Sequence, residues 1–314
     1  MPHLPTTFAH EFKDTSPFGT AGSARALAFA ADSRLLALGG SRPTVDLWDA
    51  YEGRQVAALS GHRPSKLQGT VLSLAFSPDG RLLASGGQDN TIRLWRATDG
   101  ECVNVLEGFS GGVERLVFSP TAPPVLAAAD KDATRLFDLT SGAVLPVRMP
   151  EGAVNGLAFT PDGSLLAVTP GGRQKKDTHP PVVLVNPADG GVVRTIGEAG
   201  PPARALAFSP DGRLLALAPR AGAEIQLWDT TSWQVARTLK AGAYTVYELA
   251  FSSRGALGAA IGDRVSLWDP SAEADPVAAK VPYRRTSEVE TLAFSPDGQS
   301  LATCRKGMSV RIYR

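Results

Sequence analysis

Cysteine is scarce: the 314-residue chain has two, Cys102 and Cys304, too few for a disulfide framework. Histidine is scarce too. The four present, His3, His10, His62 and His179, are scattered and fit no His-x-x-x-His metal spacing. Asp130-Lys131-Asp132 resembles the start of a calcium loop but lacks its Gly and terminal Glu. No run of 18 apolar residues exists, so no membrane-spanning segment is expected. The opening Met1-Pro2-His3-Leu4-Pro5 has neither a basic nor an apolar signal-peptide region. An excess of one charge is also missing. Thirty-two Lys and Arg meet 31 Asp and Glu, a formal net charge of +1, which disfavours a globally basic nucleic-acid binder. No helical period and no phosphate-cradling Gly-rich loop before a helix can be found. These absences lead to the expectation of a soluble, cytoplasmic, monomeric protein without metal or cofactor.

What is abundant is turn chemistry. The chain holds 32 Gly and 24 Pro, about 18% of its residues against a usual share of roughly 12%. They punctuate a repeat. Leu-Ala-Phe or a near copy recurs with its Phe at Phe29, Phe76, Phe118, Phe159, Phe208, Phe251 and Phe294. The mean spacing is about 44 residues, inside the ~40–45 of a four-stranded propeller blade. After the Phe comes a tight turn, intact at Ser77-Pro78-Asp79-Gly80, Thr160-Pro161-Asp162-Gly163, Ser209-Pro210-Asp211-Gly212 and Ser295-Pro296-Asp297-Gly298. Pro presets φ, Asp bonds back to the backbone and Gly accepts positive φ, so each turn closes a hairpin. A second apolar run follows, then a third ending in an aromatic, as at Leu47-Trp48-Asp49, Leu94-Trp95-Arg96, Leu136-Phe137-Asp138, Leu227-Trp228-Asp229 and Leu267-Trp268-Asp269. A short fourth run completes the unit. Runs of four to six residues between turn signals read as strands.

Seven such units in register resemble the WD-repeat (WD40) family of β-propellers, over almost all of residues 1–314. The resemblance implies an all-β, seven-bladed propeller. The seventh unit stops after three strands at Arg314, which would leave an unpaired edge. Residues 6–13 are the candidate fourth strand, expected to pair with residues 309–313 and close the ring. In the family, a Gly-His histidine, a second-strand Ser or Thr, a loop Asp and the repeat Trp form a hydrogen-bonded structural tetrad. Only repeat two keeps the dipeptide, at Gly61-His62, and its matching residues are His62, Ser85, Asp89 and Trp95. Gly108-Phe109-Ser110-Gly111-Gly112 matches a nucleophile elbow in letters, but it lies between strands, with no helix to follow.

The family's geometry also sorts loops by face. The top face carries a basic excess and the bottom an acidic one, much of the latter from turn Asp residues. Arg42, Arg284, Arg285, Arg305 and Lys306 fall on blades seven and one and suggest a basic arc for an acidic partner segment. Residues four before each repeat Phe should point to the channel mouth: Arg25, Leu72, Glu114, Asn155, Arg204, Tyr247 and Glu290. The largest insertion, residues 170–181 of repeat four, is a further recognition candidate. The resemblance implies a non-catalytic scaffold that binds a protein or peptide through its top face and channel mouth. Two rivals remain. One is a propeller hydrolase, for which Glu114 and Glu290 are the candidate channel acids. The other is a binder of nucleic acid or phospholipid through the arc, which lacks exposed aromatics beyond Tyr283 and Phe109.

Overall fold

The computed structural model describes residues 5, 7–12, 24–64, 70–148, 153–171, 182–197, 202–219, 224–242, 245–271, 279–281, 288–305 and 310–314. Among them there are only strands and turns, arranged as seven four-stranded antiparallel sheets. Each sheet is one blade of a propeller. The innermost strands are Ala24–Phe29, Val71–Phe76, Arg115–Phe118, Ala153–Phe159, Ala203–Phe208, Val246–Phe251 and Val289–Phe294. Each touches the innermost strand of the next blade, and the seventh returns to the first, so the ring is closed.

The pattern of burial follows from this stacking. A blade with a neighbour on both faces needs apolar side chains on both sides of its middle strands, so these read as continuous apolar runs. The second strands Leu35–Gly40, Val125–Ala129 and Leu257–Ile261 are buried almost end to end. The buried apolar residues fall into seven clusters, one at each junction of adjacent blades. The repeat Phe and the third-strand aromatic belong to these junctions. Trp95 and Trp268 are buried, and Tyr313 fills the equivalent place in blade seven.

The turns show why Pro-Asp-Gly recurs. Ser77 Oγ donates to Asp79 Oδ1 at 2.6 Å, and that oxygen also accepts from the Arg81 amide at 3.0 Å. Gly80 then adopts φ +70°, which a side chain would strain.

Blade seven is completed by the strand Phe8–Phe12, antiparallel to Val310–Tyr313, with Phe8 opposite Tyr313 and Phe12 opposite Val310. Thr7 and Arg314 extend the ladder through reciprocal amide bonds of 2.8 and 2.7 Å. The edge expected to be bare is thus covered by the other end of the chain. Thr6, Lys13 and Ser309, at the margins of the expected pairing, lie outside the described residues.

Candidate functional site

The starts of the innermost strands surround the channel mouth, and their backbone has a recurring irregularity. In six blades one residue drops out of the pairing with the second strand: Arg25, Leu72, Asn155, Arg204, Tyr247 and Glu290. A bulge of this kind breaks the alternation of a strand and re-aims a side chain. Here it lets long polar residues stand on a strand whose other positions serve the blade junctions.

The mouth opens on a cavity of about 190 Å³. Arg25, Leu72, Glu114, Asn155 and Arg204 line it, joined by Arg115, Glu248 and Thr291. In blades six and seven the cavity is thus lined by Glu248 and Thr291, each one residue beyond the sequence-derived positions Tyr247 and Glu290. Tyr247 instead carries the Arg204 guanidinium over its ring, 4.5 Å from the centroid. Arg115 is held in place by the Asn155 carbonyl at 2.7 Å and the Glu114 carbonyl at 2.9 Å. The Asn155 side-chain amide donates to the Ala203 carbonyl at 2.7 Å, tying blade four to blade five. Arg25 is exposed and makes no hydrogen bond or ion pair among the described residues. Glu248 is the counter-charge. Burial pushes its carboxyl above the ordinary carboxylate range, while Arg115 and Arg204 pull the other way. The mouth therefore combines three guanidiniums, two carboxyls, an exposed one at Glu114 and a half-buried one at Glu248, and the Asn155 amide around an open centre.

His62, Ser85, Asp89 and Trp95 meet at the blade one–blade two junction. His62 Nδ1 lies 3.0 Å from Asp89 Oδ1, and His62 Nε2 lies 2.7 Å from Ser85 Oγ. Trp95 Nε1 donates to the same Ser85 Oγ at 2.8 Å. Indole only donates and carboxylate only accepts, so Nδ1 carries the histidine proton and Ser85 donates to Nε2. Asp89 also accepts from the Arg63 amide at 2.9 Å and from Thr91 Oγ1 at 2.8 Å. Burial alone would raise the Asp89 carboxyl, but the bonds from His62, Arg63 and Thr91 outweigh it and hold the group far below the usual range. The atoms are those of a hydrolytic triad, yet Ser85 is fully buried and its oxygen already engaged by Trp95. The arrangement acts as a clamp. A Cβ at Gly87 would overlap both His62 and Asp89, so the clamp requires glycine there.

Blade three replaces the clamp. Phe109 is buried rather than exposed, which corrects the reading of it as a surface aromatic. Ser110 Oγ donates to Asp132 at 2.6 Å and to Asp130 at 3.1 Å, and the Ser110 amide donates to Asp130 at 2.9 Å. The elbow-like string is therefore a loop anchored on two carboxylates.

Of the basic arc, Arg42 lies 3.7 Å from Asp46, and Arg305 ends the strand Leu301–Arg305. Arg284, Arg285 and Lys306 lie outside the described residues, as do residues 172–181 of the repeat-four insertion. Among the described residues no three His, Cys, Asp or Glu side chains gather as a metal-binding group, and no helix is long and apolar enough to cross a membrane.

The family model described as WD domain, G-beta repeat, matches the chain at residues 53–96 and 282–314. The first match covers the strand pair that carries Ser85 and Trp95, and the second covers most of blade seven. Among curated proteins, none matches the chain.

Proposed function

We propose that this chain, a seven-bladed propeller of the WD40-repeat family, is a non-catalytic scaffold that holds an acidic peptide segment of a partner protein at the top channel mouth. The family commonly serves as an interaction scaffold, and the rigid ring suits that role. The observation that carries the reading is the set of bulges. Arg25, Asn155 and Arg204 stand at these bulges and line the channel mouth, where they take no part in the pairing with the second strand. Arg204 is braced on Tyr247 and so pre-oriented for a carboxylate, and Arg25 makes no competing hydrogen bond or ion pair among the described residues. Glu114, next to Arg115 on blade three, and Glu248, on the blade beside that of Arg204, intersperse negative charge among the guanidiniums and would select against a segment acidic along its whole length. The arc of Arg42, Arg284, Arg285, Arg305 and Lys306 is a flanking contact in the same proposal.

The test is binding of a fluorescent library of acidic, neutral and basic peptides to the wild type and to Arg25→Glu/Arg204→Glu. Acidic sequences should be enriched on the wild type, and the double variant should lose at least about tenfold in affinity. Enrichment of basic peptides, or acidic binding unchanged by the double variant, sinks the proposal. Charge reversal at Arg284, Arg285, Arg305 and Lys306 examines the arc separately.

A further inference from the structure

At the far end of the innermost strands from the channel mouth, a second cavity of about 340 Å³ sits where blades six, seven and one meet. Tyr51, Arg254, Gln299, Ser300 and Arg314 line it. They come from three blades, brought together only because the ring closes. The lining holds two guanidiniums, an amide and two hydroxyls, with no carboxylate.

The donors are under-used. Arg314 stacks over Tyr51, its guanidinium carbon 4.6 Å from the ring centroid, and one Nη donates to the Ala50 carbonyl at 3.2 Å. Its Nε is buried with no hydrogen-bond partner, and the second Nη has none among the described residues. Arg254 donates its Nε to the Asp297 carbonyl at 3.2 Å and interacts with that residue's carboxylate, and its remaining N–H groups make no hydrogen bond among the described residues. The Ser300 side chain makes no hydrogen bond among them either. Two carboxylates outside the lining act on Tyr51, and Asp297 also acts on Arg254. Asp297 accepts from Ser295 Oγ, the Gln299 amide and the Tyr51 hydroxyl. Asp32 accepts from the Arg34 and Leu35 amides.

We propose that this pocket binds a small organic oxyanion, a carboxylate or a phosphate monoester, gripped between Arg254 and Arg314 with its body against the Tyr51 edge. Planar guanidinium forks fit both head groups. The volume is roughly ten times a water's share of about 30 Å³, and it lies at the lower end of small-ligand pockets, so the occupant is larger than a bare ion. Because its walls belong to three blades, an occupied pocket ties the closure seam together and stabilises the ring. This site is independent of the channel-mouth reading and shares no residue with it.

The experiment measures melting temperature and calorimetric binding with benzoate, phenyl phosphate, inorganic phosphate and phenol, all at matched ionic strength. Benzoate, phenyl phosphate or both should raise the melting temperature by about 2–4 °C at roughly ten times Kd. Which of the two acts tells carboxylate from phosphate. Arg254→Gln and Arg314→Gln should each weaken binding about tenfold, and Arg25→Gln at the mouth should leave it unchanged. Arg254 is exposed, so its variant remains informative if Arg314→Gln fails to fold. No response to either organic anion, an equal response to phenol, a response to inorganic phosphate alone, or binding unchanged in Arg254→Gln overturns the proposal.

Discussion

Phe109 lies over Phe137 with ring centroids 5.8 Å apart, at the junction where blade three would otherwise need the polar clamp that blade two builds from His62 and Trp95. The strand registers make the substitution complete. Leu83 faces Trp95 and Leu126 faces Phe137, so Ala128 takes the place of Ser85. Arg135 covers Phe109 from outside, 4.9 Å from its centroid. One blade junction is thus locked by directed hydrogen bonds and the next by aromatic contact, on the same backbone frame.

The two solutions should fail differently. Ser85→Ala deletes one oxygen but strands Trp95 Nε1 and His62 Nε2 in a buried junction. At about 1–3 kcal/mol for each unsatisfied buried group, it should cost more than its lost volume suggests. Phe109→Ala leaves a cavity and should cost about 3–5 kcal/mol without stranding any polar atom. Equilibrium urea unfolding measures both. Phe109→Leu should recover most of the loss in blade three, whereas Ser85→Cys, with a weak donor and acceptor, should recover little in blade two.

Acid should find the clamp through Asp89. Its folded pKa lies below the unfolded value, so its contribution is complete above about pH 4 and is lost only as pH falls through the folded value. The wild type should therefore lose stability more steeply than Asp89→Asn between about pH 4 and pH 2. Urea midpoints at stepped pH measure the difference between the two slopes. Parallel slopes would mean that the His62–Asp89 bond does not couple to folding.

The fold was legible because its signals are local. Each Pro-Asp-Gly turn and each apolar run states its own conformation, and seven copies in register leave few other architectures. The bare edge of blade seven pointed to Phe8–Phe12 by the same logic. Phe109 was legible in principle, since Gly108-Phe109 follows its outer strand as Gly61-His62 follows the previous one. The exact lining of the mouth was not. Tyr247 stands at the bulge as Arg25 and Arg204 do, yet Glu248 lines the cavity while the Tyr247 ring packs under the Arg204 guanidinium, a contact between neighbouring blades that no single sequence window contains. The seam pocket was less legible still. Tyr51, Arg254, Gln299 and Arg314 are ordinary turn and strand-end residues until ring closure brings them together.

Closure itself is testable by removing the strand that performs it. Deleting residues 1–14 takes away the partner of Val310–Tyr313 and exposes its backbone ladder. The melting temperature should fall by on the order of 10 °C, several kcal/mol for a chain of this size, and the bared edge should promote association. A synthetic peptide of residues 1–14 added in trans should restore part of the loss. Full stability after deletion would show that the ring holds without the shared blade.

Glu248 gives the channel a titration of the opposite sign. Its folded pKa lies above the unfolded one because the channel wall desolvates the carboxylate more than Arg115 and Arg204 compensate. The folded state binds the proton more tightly, so Glu248 favours folding below its unfolded pKa and this advantage is lost as pH rises through the folded pKa. Glu248→Gln, which keeps the shape and removes the charge, should raise the melting temperature at neutral pH and change it little in mild acid. The same variant removes a negative charge that acts on Arg204 from the adjacent blade, so its affinity for acidic peptides should rise while stability also rises. A purely structural role for Glu248 predicts the stability change alone. A gain in both, with the affinity gain fading as the wild-type carboxyl protonates, identifies the group as part of the recognition surface.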